Sequence, residues 1–348
     1  MTYKPKFTIT NSITTSLAKI ERSRGFFDAI NLSEELLVTM QNQALLLEAH
    51  HTTHIEGTEL TLDQSRQILS GKKVIEANRE DVQEIKNYCS AFELVSEYLN
   101  NDNPIIESLI REIHKRLVSN VRGNAAAPGE YRKIQNYVIN SQTNKIIYTP
   151  PPAYEVNIQM QELLDWINHE TEISDILVAG IAQFQLVDIH PFLDGNGRSA
   201  RLLSTLCLYR QGYDFKKLFT LSEYYDRNRK NYYEAIQNVR NNNMDMTGWL
   251  EYFVKGLETQ IGELQNKSAA IIKYESLIQN NKLSKHQNIA IGYIIENGWI
   301  NIQNYEDLCP SVNKRTLQRE LKELIEENIL HVEGATNNRV YKLKLKNL

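Results

Sequence analysis

Cysteine is scarce: the 348-residue chain holds three, Cys89, Cys207 and Cys309. They lie far apart, show no metal-site spacing, and their odd number speaks against a disulfide framework. A reducing compartment suits them, so a cytoplasmic protein is expected. No apolar run approaches the ~20 residues needed to cross a bilayer, and no membrane partner is expected. Met1 to Thr10 carries lysines but no apolar stretch of signal-peptide length. Export by a route without a cleavable signal stays open. There is no excess of positive charge either. The net charge is −4, so no global field draws the chain onto nucleic acid. Internal repeats and low-complexity tracts are absent.

Proline (8) and glycine (15) are also few. Between the places where they cluster, helical periodicity dominates, and the composition has ample apolar residues for a core. The length allows one large domain or two to three small ones. Up to about Leu32 the chain is only weakly patterned. Ser33 is an N-cap candidate, with Glu34 and Glu35 in the first turn of a helix that runs to Glu56 and stops at Gly57. Further helices are expected after Thr61, over Arg79–Asn100, and from Asn103-Pro104. Tyr137–Ile139 and Ile146–Tyr148 read as a hairpin around a polar turn. Helices are then expected over Glu155–His169 and Ile173–Asp188. Beyond lie a helix to Tyr209, one from Ser222 to Val239, and one from Trp249 to Ser268.

The densest chemistry lies in His190-Pro191-Phe192-Leu193-Asp194-Gly195-Asn196-Gly197-Arg198-Ser199-Ala200-Arg201. An imidazole takes up a proton near neutral pH. Asp194 offers a hard oxygen suited to Mg²⁺. Gly195 and Gly197 can adopt positive φ and bring backbone N–H groups close to an anion. Leu202, Leu203, Leu206 and Leu208 follow as a buried helix, which puts the Gly-Asn-Gly turn at a helix N-terminus that favours phosphate. Arg198 and Arg201, three apart, share one face of that helix and suit phosphate oxygens.

The segment resembles the Fic-family motif His-Pro-Phe-x-Asp-Gly-Asn-Gly-Arg-x-x-Arg at every fixed position. The resemblance implies a protein adenylyltransferase that moves AMP from ATP to a Tyr, Thr or Ser hydroxyl of a target protein, or of the chain itself. His190 would be the general base and Asp194 the Mg²⁺ ligand. The Gly195-Asn196-Gly197 backbone and the Asn196 side chain would receive the α- and β-phosphates. Arg198 and Arg201 would neutralise the β- and γ-phosphates, and Phe192 would anchor the loop. Thr52, Glu56 and Gly57 match the family's inhibitory Ser/Thr-x-x-x-Glu-Gly/Asn motif. By that likeness Glu56 pairs with Arg201 and blocks the γ-phosphate. The hairpin resembles the family's flap, with Ile146, Ile147 and Tyr148 lining the edge to which a target segment is added. Tyr224 and Tyr225 fall where an adenine-side tyrosine is expected. His50 and His54 have i,i+4 spacing but no third zinc ligand, so a packed or solvated cluster is expected.

Beyond a polar joint near Asn280 to Lys285, the order helix, short helix, helix, strand, strand predicts a winged helix-turn-helix. From Lys267 onward there are twelve Lys and Arg against nine Asp and Glu, so the modestly basic tail sits on a remainder of −7. Lys314, Arg315, Thr316, Gln318 and Arg319 begin its recognition helix, for which DNA or a protein partner are near-even readings. The expected fold is mainly α: a Fic-type helical bundle with a β-hairpin flap and a C-terminal winged helix-turn-helix. The expected division is 1–110 (inhibitory helical region), 111–246 (catalytic core), 247–282 (connecting helix and linker) and 283–348 (winged helix). A homodimer is allowed for. Two rival functions stand beside the transferase: removal of AMP from a modified protein at the same site, with Glu56 orienting water, and a DNA-binding regulator that only senses nucleotide.

Overall fold

The computed structural model describes residues 3–98, 103–121, 126–139, 143–279, 283–335 and 338–344. The architecture is mainly helical, as expected. In chain order it comprises α1 (Asn11–Ala29), α2 (Glu34–Ile55), α3 (Leu62–Leu69), α4 (Arg79–Tyr98), α5 (Glu107–Val118), β1 (Val138–Ile139) and β2 (Ile146–Tyr148). Then come α6 (Val156–His169), α7 (Asp175–Ile189), α8 (Asn196–Arg210), α9 (Leu221–Arg227), α10 (Arg229–Asn241) and α11 (Thr247–Gln279). The last elements are α12 (Lys285–Asn297), α13 (Ile302–Leu308), α14 (Lys314–Glu326), β3 (Leu330–Glu333) and β4 (Val340–Leu343). Among the described residues no helix is long and apolar enough to cross a membrane.

The chain divides into two compact units, Met1–Arg24 with Ala44–Gln260, and Gly25–Gln43 with Ile261–Leu348. In the first unit α7 and α8 pack on each other more extensively than any other pair of elements, with α5 and α4 against α8 and α6 against α7. The reason is compositional. Ile176, Ile181, Phe184, Leu186 and Ile189 are fully buried around α7, and Leu202, Leu203, Leu206 and Leu208 around α8. A helix apolar on all sides is stable only in the middle of a bundle. Each such side chain contributes about 1.5–3 kcal/mol on burial. The loop joining this central, buried pair is the glycine-rich motif.

Three helices differ from the sequence expectation. α1 occupies the stretch read as weakly patterned. Its inward positions are Ile13, Ser16, Ile20, Ser23 and Phe27, all buried, and the two serines break the apolar rhythm. Ser16 Oγ donates to Glu258 Oε2 at 2.7 Å, which satisfies it there. The expected Ser222–Val239 helix is two, α9 and α10, broken at Asn228 (φ −120°, ψ 37°). α11 runs to Gln279 rather than Ser268.

In the second unit the predicted helix–helix–helix–hairpin order is present. Ser284 caps α12 and Asn301 caps α13, each in a reciprocal box with the residue three positions on. β3 and β4 pair antiparallel, with Leu330 opposite Leu343 and Val332 opposite Tyr341. Buried Glu320 accepts from Ser284 Oγ (2.7 Å) and Tyr305 Oη (2.8 Å), which ties α14 to the other two helices.

One close approach supports the central helix. Trp249 Nε1 donates to Gly180 O at 2.8 Å, and a Cβ on Gly180 would lie 2.9 Å from Phe253 Cδ1. Neither the buried ring nor α7 has room to yield. Gly180→Ala is expected to lower stability by about 1–3 kcal/mol, read as an earlier midpoint in urea denaturation. An unchanged midpoint would mean that the contact is slack.

Candidate active site

The site begins where α7 ends. His190 is the C-cap residue of α7 and adopts the left-handed conformation (φ 52°, ψ 56°). That turn carries the chain out of the helix and presents the imidazole at the helix end. The Nδ1 of His190 lies 3.3 Å from the Val187 carbonyl. A proton donated there leaves Nε2 with its lone pair for a base's work. Burial pushes the His190 pKa down, the Val187 contact opposes it, and the positive charges of Arg240 and Arg132 lower it further.

The loop that follows is held by groups the sequence reading did not single out. Buried Arg132 donates to the His190 carbonyl (Nε, 2.8 Å), to Ile134 O (3.2 Å) and to Pro151 O (2.5 Å), and its own N–H meets Pro191 O at 2.8 Å. It therefore joins the catalytic loop to the base of the hairpin. Phe192 is fully buried and stacks on His114, with ring centroids 3.6 Å apart and planes 6° apart. His114 Nε2 donates to Asp194 O (3.0 Å), and Gly129 N donates to His114 Nδ1 (3.0 Å). Burial above all lowers the His114 pKa to about 4, so the ring is neutral, as that donor–acceptor pattern requires. Only one signal for it exists in the sequence, a lone histidine on the apolar face of α5.

α8 starts at Gly195, in the left-handed region at φ 74°, where a Cβ would lie 2.8 Å from Val118 Cγ1. Gly195 N donates to Asp194 Oδ1 at 2.7 Å. Asn196 behaves differently from expectation. Its Oδ1 accepts from Phe192 N (2.9 Å) and its Nδ2 donates to Phe192 O (2.9 Å). The amide staples the loop and is buried there, so it serves the loop's shape and not a phosphate. What remains for an anion is the backbone at the helix N-terminus.

Anionic charge already sits at that N-terminus. Glu56, at the end of α2, comes so close that a Cβ on Gly197 would lie 2.4 Å from Glu56 Oε1. The same oxygen accepts from Arg201 Nη2 at 2.6 Å. Thr52 completes the hold on Arg201: its Oγ1 accepts from Nε (2.8 Å) and its carbonyl from Nη2 (3.0 Å). Burial opposes the guanidinium's charge most strongly, but Glu56 and Tyr232 together outweigh it, and Arg201 stays protonated. Gly57, at φ 108°, makes the turn that ends this segment and is exposed.

The two motif arginines are expected to work together, and the structure separates them. Arg198 is buried, with Nη1 donating to buried Glu84 Oε2 on α4 at 2.9 Å. Its Nη2 lies 3.9 Å from Asp194 Oδ1. In this arrangement Arg198 ties α8 to α4, and Arg201 is the one that faces the end of α2.

Asp194 is the one expected metal ligand, with a side chain 35% exposed. Among the described residues no group of three His, Cys, Asp or Glu is placed to hold a metal ion. A lone carboxylate fits Mg²⁺ only where substrate phosphates and water supply the remaining oxygens.

Tyr225 is a correction. It is completely buried, stacks on Tyr232 (centroids 4.4 Å apart) and donates to Gln183 Oε1 at 3.2 Å, so it belongs to the core. Tyr224 packs toward Tyr252, 5.3 Å between centroids, and against Gly256. The tyrosine that reaches the end of α2 is Tyr233 of α10, 48% exposed, whose hydroxyl lies 3.4 Å from Ile55 O. The break at Asn228, unseen in the sequence, shifts which aromatic residues face the site. The histidines of α2 form a packed and hydrogen-bonded cluster, as expected. Asp226 accepts from His51 (2.9 Å) and His54 (2.8 Å), and His50 Nδ1 meets Ser65 Oγ at 3.1 Å.

β1 and β2 form the hairpin, in antiparallel register Val138–Tyr148 and Ile139–Ile146. Ile146 and Ile147 are 57% and 45% exposed, whereas Tyr148 is half-buried and donates to Asp188 O at 2.8 Å. The expected turn 140–145 lies partly outside the described residues.

Residues 104–208 match the Fic/DOC family model. Protein adenylyltransferase Fic of Drosophila willistoni is 30% identical over 205 residues, 57% of this chain and 38% of its own length. Its counterpart in Drosophila ananassae is 31% identical over 200 residues, again 57% of this chain and 38% of its own length. The chain thus spans less than half the length of these curated relatives. Among solved structures, Fic-1 (aa134–508) from C. elegans superposes with a TM-score of 0.62 at 29% identity, covering 72% of this chain and 71% of that one. A Fic family protein from Desulfovibrio desulfuricans G20 shares the fold over 99% of this chain and 100% of its own, with a TM-score of 0.67 at 20% identity. Residues 104–208, which include the His190–Arg201 loop, are therefore similar to the Fic/DOC family.

Proposed function

We propose that the chain is a protein adenylyltransferase held back by its own Glu56. The observation that carries this reading is the position of that carboxylate, against Gly197 and 2.6 Å from Arg201. A helix N-terminus beside a buried guanidinium is where a phosphate would be received, and a carboxylate now stands in for it. The named activity of the Drosophila relatives supports the assignment.

In the proposed reaction ATP binds with its phosphates toward the N-terminus of α8. Asp194 would hold Mg²⁺, which would neutralise phosphate charge. Nε2 of His190 takes the proton from the target hydroxyl as the hydroxyl oxygen bonds to the α-phosphorus. The bond from that phosphorus to the bridging oxygen breaks, and pyrophosphate leaves. The backbone N–H groups at the start of α8 are fixed before reaction, so no reorganisation accompanies the charge that develops on the α-phosphate. Arg201 neutralises the far phosphates once Glu56 has left. The target segment lies along the exposed Ile146–Ile147 edge as an added strand.

A charge-assisted hydrogen bond of the Glu56–Arg201 kind contributes about 1.5–3 kcal/mol. Glu56→Gly is accordingly expected to raise incorporation of label from α-labelled ATP by roughly ten- to a hundredfold, and His190→Ala to abolish it. If Glu56→Gly stays inert with ATP, Mg²⁺ and candidate targets, the brake is refuted. If it instead loses the ability to strip AMP from a modified protein, the reverse reaction is the right one. The lowered pKa of His190 has a further consequence. The base stays deprotonated through neutral pH, so the rate holds down to the ordinary imidazole value of ~6.5 and falls only below it. A rate already halved above that value would contradict the assignment.

For the second unit, the charge pattern favours a protein partner over DNA. Lys314 pairs with Glu306 (2.9 Å), Arg319 with Glu323 (3.5 Å) and Lys322 with Glu326 (3.4 Å), which leaves α14 little net positive charge. Binding to duplex DNA is expected to be weak in a mobility-shift assay, and replacing Lys314 and Arg315 to change it little. Tight binding lost on that replacement would restore the DNA reading.

A further inference from the structure

The flap hairpin is too small to hold itself. It consists of a two-residue and a three-residue strand, with an irregularity between Val138 and Ile139. Isolated two-stranded hairpins are marginal in water, so the edge that presents Ile146 and Ile147 needs support from elsewhere. Arg132 secures its base through Pro151 O. A second guanidinium secures β2 itself.

Arg240, on α10, brings three elements together. Its Nε donates to Asp188 Oδ1 at 2.9 Å, and Nη1 lies 3.3 Å from Gln237 Oε1 on its own helix. Its Cζ stands 3.5 Å from the centroid of the Tyr148 ring and 6.0 Å from that of Phe184. Nη2 is buried and has no acceptor among the described residues. Hydrogen bonds alone therefore do not account for the guanidinium's place; the Tyr148 ring face completes it. Tyr148 also donates to the Asp188 carbonyl at 2.8 Å. Asp188 is thus held twice, by its carbonyl from β2 and by its carboxylate from α10, and Arg240 closes the triangle. Asp188 precedes His190 by two residues in the last turn of α7.

We propose that Arg240 is a positioning residue for the docking strand: stacked on Tyr148 and paired with Asp188, it sets where the Ile146–Ile147 edge lies relative to His190. This rests on reading the 137–148 hairpin as the target-docking flap. Lysine is no substitute. An ammonium cannot stack as a plane while donating sideways to Asp188.

Hydrogen exchange of the intact chain tests it, comparing Arg240→Gln, Arg240→Lys, Tyr148→Leu and Tyr148→Phe with the parent. Exchange of the 146–148 amides is expected to speed up about tenfold in Arg240→Gln and Tyr148→Leu. The same rise is expected in Arg240→Lys and a smaller one in Tyr148→Phe, with α7 unchanged in all four. In the Glu56→Gly background, Arg240→Gln is expected to cut labelling by α-labelled ATP while leaving ATP affinity unaltered. Parental exchange at 146–148 in Arg240→Gln, or full rescue by lysine, would overturn the proposal. So would undiminished labelling alongside raised exchange. Should Arg240→Gln fail to fold, Arg240→Lys and Tyr148→Leu decide by exchange alone. Should Glu56→Gly itself fail to label, that counts against the proposed function, and the exchange result still decides the role of Arg240.

Discussion

A single ion pair, Glu56 with Arg201, is the contact on which the arrangement of this site depends. Its partners come from distant parts of the sequence, the end of α2 and the second turn of α8. Arg201 is buried, and a buried guanidinium without an anion is costly. Something negative must therefore lie at this helix N-terminus. Thr52 fixes the direction of the guanidinium with two further hydrogen bonds, so the anion it takes must arrive from one side. That is the physical basis for regarding Glu56 and nucleotide phosphate as competitors. On the proposed reading both answer the same electrostatic demand, and they cannot answer it together.

Around this pair the unit is built in tiers. The α7–α8 pair is buried at the middle of the unit, and its joining loop is fastened by groups that each bond to backbone. Asn196 fastens it to itself, His114 to α5, and Arg132 to the base of the hairpin. None of the three needs to touch a reactant to matter. They hold His190 at the helix end in a left-handed conformation that an L-residue adopts only when its surroundings require it. Arg240 extends the same logic to β2. Positive charge from Arg132 and Arg240 also helps to keep the imidazole a free base.

Much of this was readable from residue order. The periodicity places α2 through α8 within a few residues; of the motif residues, Arg201 meets Glu56, whereas Arg198 turns to Glu84 and the Asn196 amide to Phe192. The misreadings have local causes. α1 was obscured because Ser16 and Ser23 occupy inward positions, where only a distant partner such as Glu258 makes a hydroxyl acceptable. The break at Asn228 carries no proline or glycine, so the sequence reads as one continuous helix, while Tyr225 falls in the core. Arg198 looked like a phosphate ligand because its partner, Glu84, lies over a hundred positions earlier. Arg132 leaves no trace in the sequence at all, since its partners are five main-chain carbonyls and carbonyls are the same in every residue.

Competition for Arg201 makes a direct prediction about binding, separate from catalysis. Calorimetric titration with ATP and with AMP, in the presence of Mg²⁺, compares the parent chain with Glu56→Gly. If Glu56 occupies the far-phosphate position, removing it tightens ATP markedly and leaves AMP, which lacks those phosphates, almost unchanged. Equal affinity for ATP in the two proteins, or an AMP gain as large as the ATP gain, would show that Glu56 and the nucleotide do not compete for Arg201.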